Sequence, residues 1–391
     1  MKRKGNLKIA FVQWVLPLYR LGFYKELSKL NTSYSFTLFC PQGEDRVTNI
    51  KTISPEQLLS ATNNNKINWV NTKVSYSSKG HILWQSGIIM PLLRKEYDVF
   101  MLANKMSHLF YWLLILISKL RGIKIIFWSH GLQGNETGLK LWIKKWYLGL
   151  PNVNLVYANY GKELLIEAGF KPNTVQVVYN SLDFSEQDKY YDMVLKENKS
   201  DLKQKFIKNN YPVIIFLGRL EKEKKIDMIL QAAQILKNRG FYINILIAGQ
   251  GTELERLKNV ADDLMLTDSV YFLGRLEEPE LVKYFYFSEI SVSPGNVGLN
   301  CIHSLNYGVP VITHNDFRYQ LPEFEILIDK ETGVFFEKDN VEDLANKIQY
   351  WLENYSKKDI SEKLRDLVKS KYSPNVQAQY VLDGISLLNN T

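Results

Sequence analysis

The chain has 391 residues, 46% hydrophobic and 13% aromatic, which exceeds what one ordinary core holds, predicts two domains and excludes a disordered chain. Its two cysteines, Cys40 and Cys301, stand far apart without metal-ligand spacing; this excludes a disulfide or zinc framework and points to a reducing cytoplasm. The net charge of +8 is uneven: residues 1–210 carry 29 Lys and Arg against 15 Asp and Glu, and residues 211–391 carry 20 against 26. A half at +14 is either a solvated basic surface or one that faces an anionic membrane or nucleic acid.

Met-Lys-Arg-Lys before the apolar run 9–16 imitates a signal peptide but has no small-residue cleavage site, so Leu7 to Val15 is expected to be the first strand. A helix from Gly22 to Leu30 and a strand from Tyr34 to Cys40 follow. Residues 60–80 are rich in Asn, Thr and Ser and predict loops with one or two edge strands. Asp98 to Leu102 and Lys124 to Trp128 are short buried strands around an apolar helix over 107–120, whose nine-residue core is too short to cross about 30 Å of hydrocarbon. Strands alternating with helices predict a parallel sheet with both faces covered.

Trp128-Ser-His-Gly follows one of these strands and places His130 at its C-terminal edge, as a structural residue or a ligand contact. The helix over 139–148 sets Leu139, Trp142, Ile143 and Trp146 on one face beside Lys140 and Lys144. That face suits either a membrane interface or the domain core. A strand at 154–157, a helix at 160–168 and a strand at 175–179 complete a first domain over 1–184. The charged stretch 185–210 is expected to be a linker containing a helix, before a second domain over 211–365 and a closing segment over 366–391 that packs back on the first domain.

In the second domain, strands are expected at 213–217, 242–248, 270–273, 290–293 and 309–313, and helices at 226–238, 253–266, 280–287, 300–307, 339–354 and 373–388. Ser373 and Pro374 are the expected N-cap and first residue of the last helix. The stretch Ile290 to His314 is the centre of this half. Gly295 and Gly298 free the backbone between a strand and a helix N-terminus, which is either an ordinary βα turn or an anion site at a strand's C-terminal edge. Arg219 and Lys224 follow another strand on a charged loop; alone they read as surface charge, and beside the glycine loop a planar fork and a point charge suit a diphosphate.

Taken together, Gly218-Arg-Leu-x-x-x-Lys224, Ile247-Ala-Gly-Gln-Gly, Val270-Tyr-Phe-Leu-Gly-Arg and Ser293-Pro…Gly298-Leu…Gly308-Val-Pro-Val resemble the retaining, GT-B-fold glycosyltransferases of family 4, mainly over 211–340. The first half resembles them loosely, through Ser129-His-Gly, Asn180-Ser-Leu-Asp and the helix near Gly22. The resemblance implies α/β architecture with two Rossmann-like domains facing across a cleft. It implies sugar transfer from a nucleotide-sugar donor to a saccharide or lipid-linked acceptor, in cell-surface polysaccharide, lipopolysaccharide or glycolipid synthesis. No metal or other cofactor is expected, and no nucleic acid. The expected location is the cytoplasm, peripheral on the inner face of the membrane.

In that resemblance Gly218, Arg219 and Lys224 meet the donor diphosphate. Gly249 lies in the partial glycine pattern, Gly274 and Arg275 fall where the base is held, and the backbone of Gly295, Asn296, Val297, Gly298 and Leu299 holds phosphate and sugar. His130 lies near the transferred sugar, and Glu325, eight residues before Gly333, corresponds to a recurring glutamate. The chain departs from the family where two glutamates eight apart are usual: those positions hold Gly295 and His303. His303 retains hydrogen-bonding capacity toward a ribose, but the carboxylate toward the sugar is missing. Two alternatives remain: a non-catalytic relative that binds nucleotide sugar, and a nucleotide-sugar 2-epimerase of the same fold.

Overall fold

The computed structural model describes residues 6–30, 33–42, 51–62, 67–77, 82–103 and 105–390. The chain divides into two compact units, residues 1–183 with 372–391, and residues 184–371. The Met-Lys-Arg-Lys start lies outside the described residues.

The first unit is built on β1 (Leu7–Val12), β2 (Tyr34–Cys40), β3 (Ile67–Asn71), β4 (Val74–Tyr76), β5 (Ile82–Gln85), β6 (Val99–Ala103), β7 (Lys124–Ser129), β8 (Val153–Val156) and β9 (Val175–Val177). Seven of these form one parallel sheet in the order β3-β2-β1-β6-β7-β8-β9, while β4 and β5 make an antiparallel hairpin. The strands are apolar along their length because helices cover both faces. One core cluster runs from Ile9 and Phe11 through Met101 and Trp128 to Val381 and Ile385 of the last helix, Pro374–Ser386. That helix sits close on the sheet: a Cβ on Gly384 would lie 2.4 Å from Leu155 Cδ2. Gln377 fixes it at its start, donating to Tyr179 O at 2.6 Å and accepting from Ser181 Oγ at 2.6 Å.

The second unit has β10 (Val213–Leu217), β11 (Asn244–Ala248), β12 (Val270–Gly274), β13 (Ile290–Ser293), β14 (Val311–His314) and β15 (Gly333–Phe336), all parallel, in the order β12-β11-β10-β13-β14-β15. In both sheets the winding reverses once, between β1 and β6 and between β10 and β13. Loops leaving the C-terminal edge at such a reversal splay apart and leave room for a ligand.

Two expectations differ from the structure. Residues 185–210 are no linker. They fold as helices Ser185–Val194 and Lys199–Gln204, and Tyr191, Val194, Leu202 and Ile207 are buried in a cluster with Phe285, Tyr307 and Val309. Four apolar side chains spread among charges are enough to dock two short helices on a sheet face. The second division, expected at 365, falls inside a helix, Lys357–Tyr372, absent from the predicted elements. Lys357 anchors that helix by donating to the carbonyls of Phe285, Tyr286 and Ser288 at 2.7–3.0 Å.

Candidate functional site

The loops after β10 and β13 leave the sheet side by side, since Ile214 is paired with Ile290. They touch through backbone. The amide of Gly295 donates to Lys224 O at 3.1 Å, and a Cβ on Gly295 would lie 2.1 Å from Glu223 O and 2.7 Å from Lys224 Cα. Glycine is required there by lack of space. Lys224 Nζ donates across the junction to Asn296 O at 2.9 Å and to Asn296 Oδ1 at 2.5 Å. Partial burial, and after it the charge of Arg219, lower the Lys224 pKa. Arg219 is exposed, and among the described residues it makes no ion pair. The two predicted cations are thus brought together, one anchored and one free.

Glycines 218, 249 and 274 have structural work to do at the neighbouring strand ends. Gly218 N donates to Ala248 O at 3.0 Å and Gly249 N to Gly274 O at 2.8 Å. A Cβ on Gly249 would stand 1.8 Å from Gly218 O, so these glycines let three strand ends close on one another. Gly274 takes φ +68°, a left-handed conformation that glycine adopts without strain. Arg275 is directed to the surface, 3.2 Å from Glu277.

The loop backbone from Asn296 to Leu299 is only partly available. Val297 is buried, and its amide donates to Gln320 Oε1 at 2.7 Å; the amide of Gly298 donates to Asn300 Oδ1 at 2.8 Å. With the amides of Val297 and Gly298 engaged inside the protein, the amides of Asn296, Leu299 and Asn300 are the donors that remain at this loop and helix start.

The expected Glu325 and its neighbour Glu323 have different surroundings. Glu325 lies 3.6 Å from Lys371. Glu323 is buried, with Oε2 3.8 Å from where a Gly298 Cβ would stand, and its charge acts on Lys224 and Cys301. Both lie in the 3-10 helix Pro322–Ile326, where two residues' separation turns the side chain by about 240°, onto a different face.

His303 lies on the glycine-loop helix, where Gln187 Nε2 meets its Nδ1 at 2.6 Å. Gln187 Oε1 accepts from Asn306 Nδ2 at 3.0 Å, which turns the Gln187 amide so that its N–H₂ faces His303. Nδ1 is therefore the acceptor and Nε2 carries the proton. Burial lowers the His303 pKa to about 4, so the ring is neutral. Gln187 belongs to the stretch expected to be a linker, so sequence reasoning had no reason to pair it with His303.

In the first unit, His130 follows β7 and is exposed, with its ring centroid 5.1 Å from that of Tyr157. The protein packed around it, then Lys144 and Arg20, lower its pKa; solvent contact screens part of this, and the ring is neutral near pH 7. The helix Gly138–Leu148 turns Leu139, Trp142 and Trp146 outward, at 71%, 65% and 54% exposed, so that face does not pack into the core. Trp146 stacks on Trp112 of the helix Leu109–Arg121 at 5.7 Å, whose outer row is Leu109, Leu113, Leu116 and Leu120. Lys144 is tied to Glu136, itself held by the amides of Gln133 and Gly134. Among the described residues no helix is long and apolar enough to cross a membrane, and no group of three or more His, Cys, Asp or Glu is placed to hold a metal.

Two doubly wound units with a basic pair against a glycine loop define a GT-B-type protein. The crystal structure of Anabaena Alr3699/HepE in complex with UDP has the same fold, with a TM-score of 0.67 and 14% identity over 97% of this chain and 99% of that one. Residues 197–372 match the model of the family Glycosyl transferases group 1. The alpha-monoglucosyldiacylglycerol synthase of Streptococcus pneumoniae is 29% identical over 201 residues, 49% of this chain and 44% of the relative. The O-antigen biosynthesis glycosyltransferase WclY of Escherichia coli is 26% identical over 256 residues, 65% and 66% of the two chains. The chain spans about half the length of the curated relatives it matches.

Proposed function

We propose that the protein transfers a hexosyl group from a nucleoside-diphosphate sugar to a saccharide or lipid-linked acceptor, with the anomeric configuration retained. The observation that carries this is the junction of Lys224 with Gly295 and Asn296, beside an Arg219 that has no ion pair among the described residues. In the reaction the bond between the anomeric carbon and the diphosphate oxygen breaks, and a bond to an acceptor oxygen forms as that hydroxyl loses its proton. Negative charge grows on the leaving diphosphate. Arg219 and Lys224 meet it there, together with the amides of Leu299 and Asn300 and the positive end of their helix. In this reading the two side-chain cations do what a metal does elsewhere. His303 donates Nε2–H toward the ribose, and His130, neutral at pH 7, acts on the sugar side. Relatives named for glycolipid and O-antigen synthesis support an acceptor at a cell-surface glycan or lipid.

The same reading places the protein at an anionic membrane. The outward leucine row and the stacked tryptophans supply apolar contact, and neither helix carries an acidic residue, while Lys119, Arg121, Lys140 and Lys145 supply charge. The deciding experiment incubates the protein with a panel of nucleotide sugars and lipid-diphosphate acceptors in EDTA. Mass spectrometry and anomeric NMR of the product are expected to show acceptor extended by one sugar with the donor's configuration. Epimerised donor without transfer, or bound donor without turnover, would set the proposal aside.

A further inference from the structure

The second unit carries a groove of about 750 Å³ that the proposed transfer does not use. Its long wall is one face of the helix Lys357–Tyr372. Leu364 and Val368 bury the other face of that helix, so residues 358, 362 and 366, and behind them 361, 365 and 369, each four apart, stand in rows along the groove. The opposite wall comes from the end of the helix Ser185–Val194 and the start of Lys199–Gln204. The groove lies away from the glycine loop. Lys357 binds carbonyls just before β13, and Lys199 Nζ donates to Glu289, the residue preceding that strand, at 2.6 Å, whereas the glycine loop follows β13 at its other end.

The floor is fixed by contacts within the protein. The Arg365 guanidinium lies 3.8 Å from the centroid of the Tyr191 ring and donates to Asn306 O at 2.6 Å and to Asp188 Oδ1 at 2.9 Å. Ser361 Oγ and the Tyr191 hydroxyl stand 3.3 Å apart. The walls, in contrast, keep polar capacity to spare. An ammonium has three N–H groups; Lys199 spends one on Glu289, and Lys358 makes no ion pair among the described residues. Between these two stands Lys357, whose pKa burial first, and then the charge of Lys199, lower to about 7; an anion at this end of the groove favours its charged form. Farther along, Asp192, Glu362 and Asp366 line the groove, again without an ion pair among the described residues.

A simple anion would use the lysines and be repelled by the carboxylates, and a neutral sugar would leave the ammonium groups without a counter-charge. A ligand with one anionic group and several hydroxyls satisfies both sets, because a phosphate accepts from the lysines and hydroxyls donate to the carboxylates. Tyr286 and the exposed Leu195 add apolar contact for a carbon skeleton. The volume falls within the range of about 300–1,000 Å³ usual for small-molecule sites. We propose that this groove binds a phosphorylated saccharide, with its phosphate on Lys199 and Lys358 and its hydroxyls on Asp192, Glu362 and Asp366. The site is separate from the donor site and does not depend on the transferase reading.

The test titrates glucose 1-phosphate and glucose 6-phosphate into the full chain by calorimetry, with UDP present to fill the donor site, beside glucose and inorganic phosphate. At least one sugar phosphate is expected to saturate with Kd below about 1 mM, and at least about tenfold more tightly than glucose or phosphate. Lys199→Ala with Lys358→Ala, checked for folding by circular dichroism, should weaken it at least about tenfold and leave UDP affinity within about twofold. Glu362→Ala with Asp366→Ala should also weaken it, whereas a site that takes only the anion would bind more tightly once this repulsion is gone, and that result overturns the proposal. So does the absence of saturable binding of either sugar phosphate to the parent chain, whether or not the variants fold. Inorganic phosphate bound as tightly as the sugar phosphates, or undiminished binding in the folded lysine variant, overturns it as well. If the parent chain does not bind UDP, the donor reading fails, and the same titrations without UDP still decide the groove.

Discussion

Lys224 and Asn296 are joined twice, through the backbone oxygen at 2.9 Å and the side-chain oxygen at 2.5 Å. The two residues stand 72 apart in sequence, on loops that leave neighbouring parallel strands. The bond fixes the ammonium at the mouth of the glycine loop before any ligand arrives, so little side-chain entropy is left to lose when a diphosphate binds.

Gly295→Ala tests that junction. Its methyl would stand 2.1 Å from Glu223 O, which is backbone and has to move. The expected cost is about 1–3 kcal/mol of stability, read by urea denaturation, with weaker UDP binding read by calorimetry. Parent-like values in both would show that the loops do not meet as described.

Removing the cations should impair turnover more than binding, because the charge they meet grows as the bond breaks. Arg219→Ala and Lys224→Ala are each expected to slow transfer roughly tenfold to hundredfold. Arg219→Lys should not restore the rate, since the planar fork is lost although the charge remains. Steady-state kinetics beside UDP affinity decides; three parent-like variants would reduce the pair to surface charge.

His130→Ala should slow transfer by more than about tenfold and leave UDP affinity nearly intact. Because the protein packed around the ring lowers the His130 pKa below its ordinary value, the neutral ring persists below pH 7, and the contribution of His130 to the rate should hold as pH falls from 7 to 6. A variant as active as the parent would make the residue structural.

His303 ties stability to pH. Its folded pKa is about 4, against about 6.5 in an unfolded chain, so between these values the unfolded state binds a proton that the folded state does not. Its contribution is complete above pH 6.5 and is lost as pH falls toward 4. His303→Asn keeps an acceptor for Gln187 without the titration, and it should lessen the fall in stability across that window by about 1–3 kcal/mol. Identical pH profiles for parent and variant, measured by urea denaturation, would contradict the buried neutral ring.

Membrane contact separates into two measurable parts. Leu116→Ser with Leu120→Ser should lower binding to anionic vesicles at every salt concentration, whereas Lys140→Glu with Lys145→Glu should lower it mainly at low salt. Lys144→Glu belongs to neither pair. It would set a carboxylate against the buried Glu136, and its expected effect is a lower melting temperature. Sedimentation showing both double variants matching the parent would remove these helices from membrane contact.

The sequence by itself determined the alternation of apolar strands and helices, the extent of β10, β13 and the helix Glu280–Phe287, and the placing of Arg219, Lys224 and Gly295 on loops that follow strand ends. These follow from periodicity and turn chemistry, which act over a few residues and are written locally. The tertiary structure decided what depends on distant neighbours. Gln187 meets His303 from 116 residues away, in a stretch too charged to predict as part of a core. Glu323 rather than Glu325 faces the glycine loop because a 3-10 turn, not the spacing to Gly333, sets its direction. The tryptophan face at 139–148 suited core and surface equally until the neighbouring helix supplied Trp112 to stack on Trp146 and left the rest outward. Arg20 looks like one more surface cation in the chain; its burial against Trp128 and Tyr157 comes from three strand ends meeting at one edge, a packing relation that no local pattern encodes.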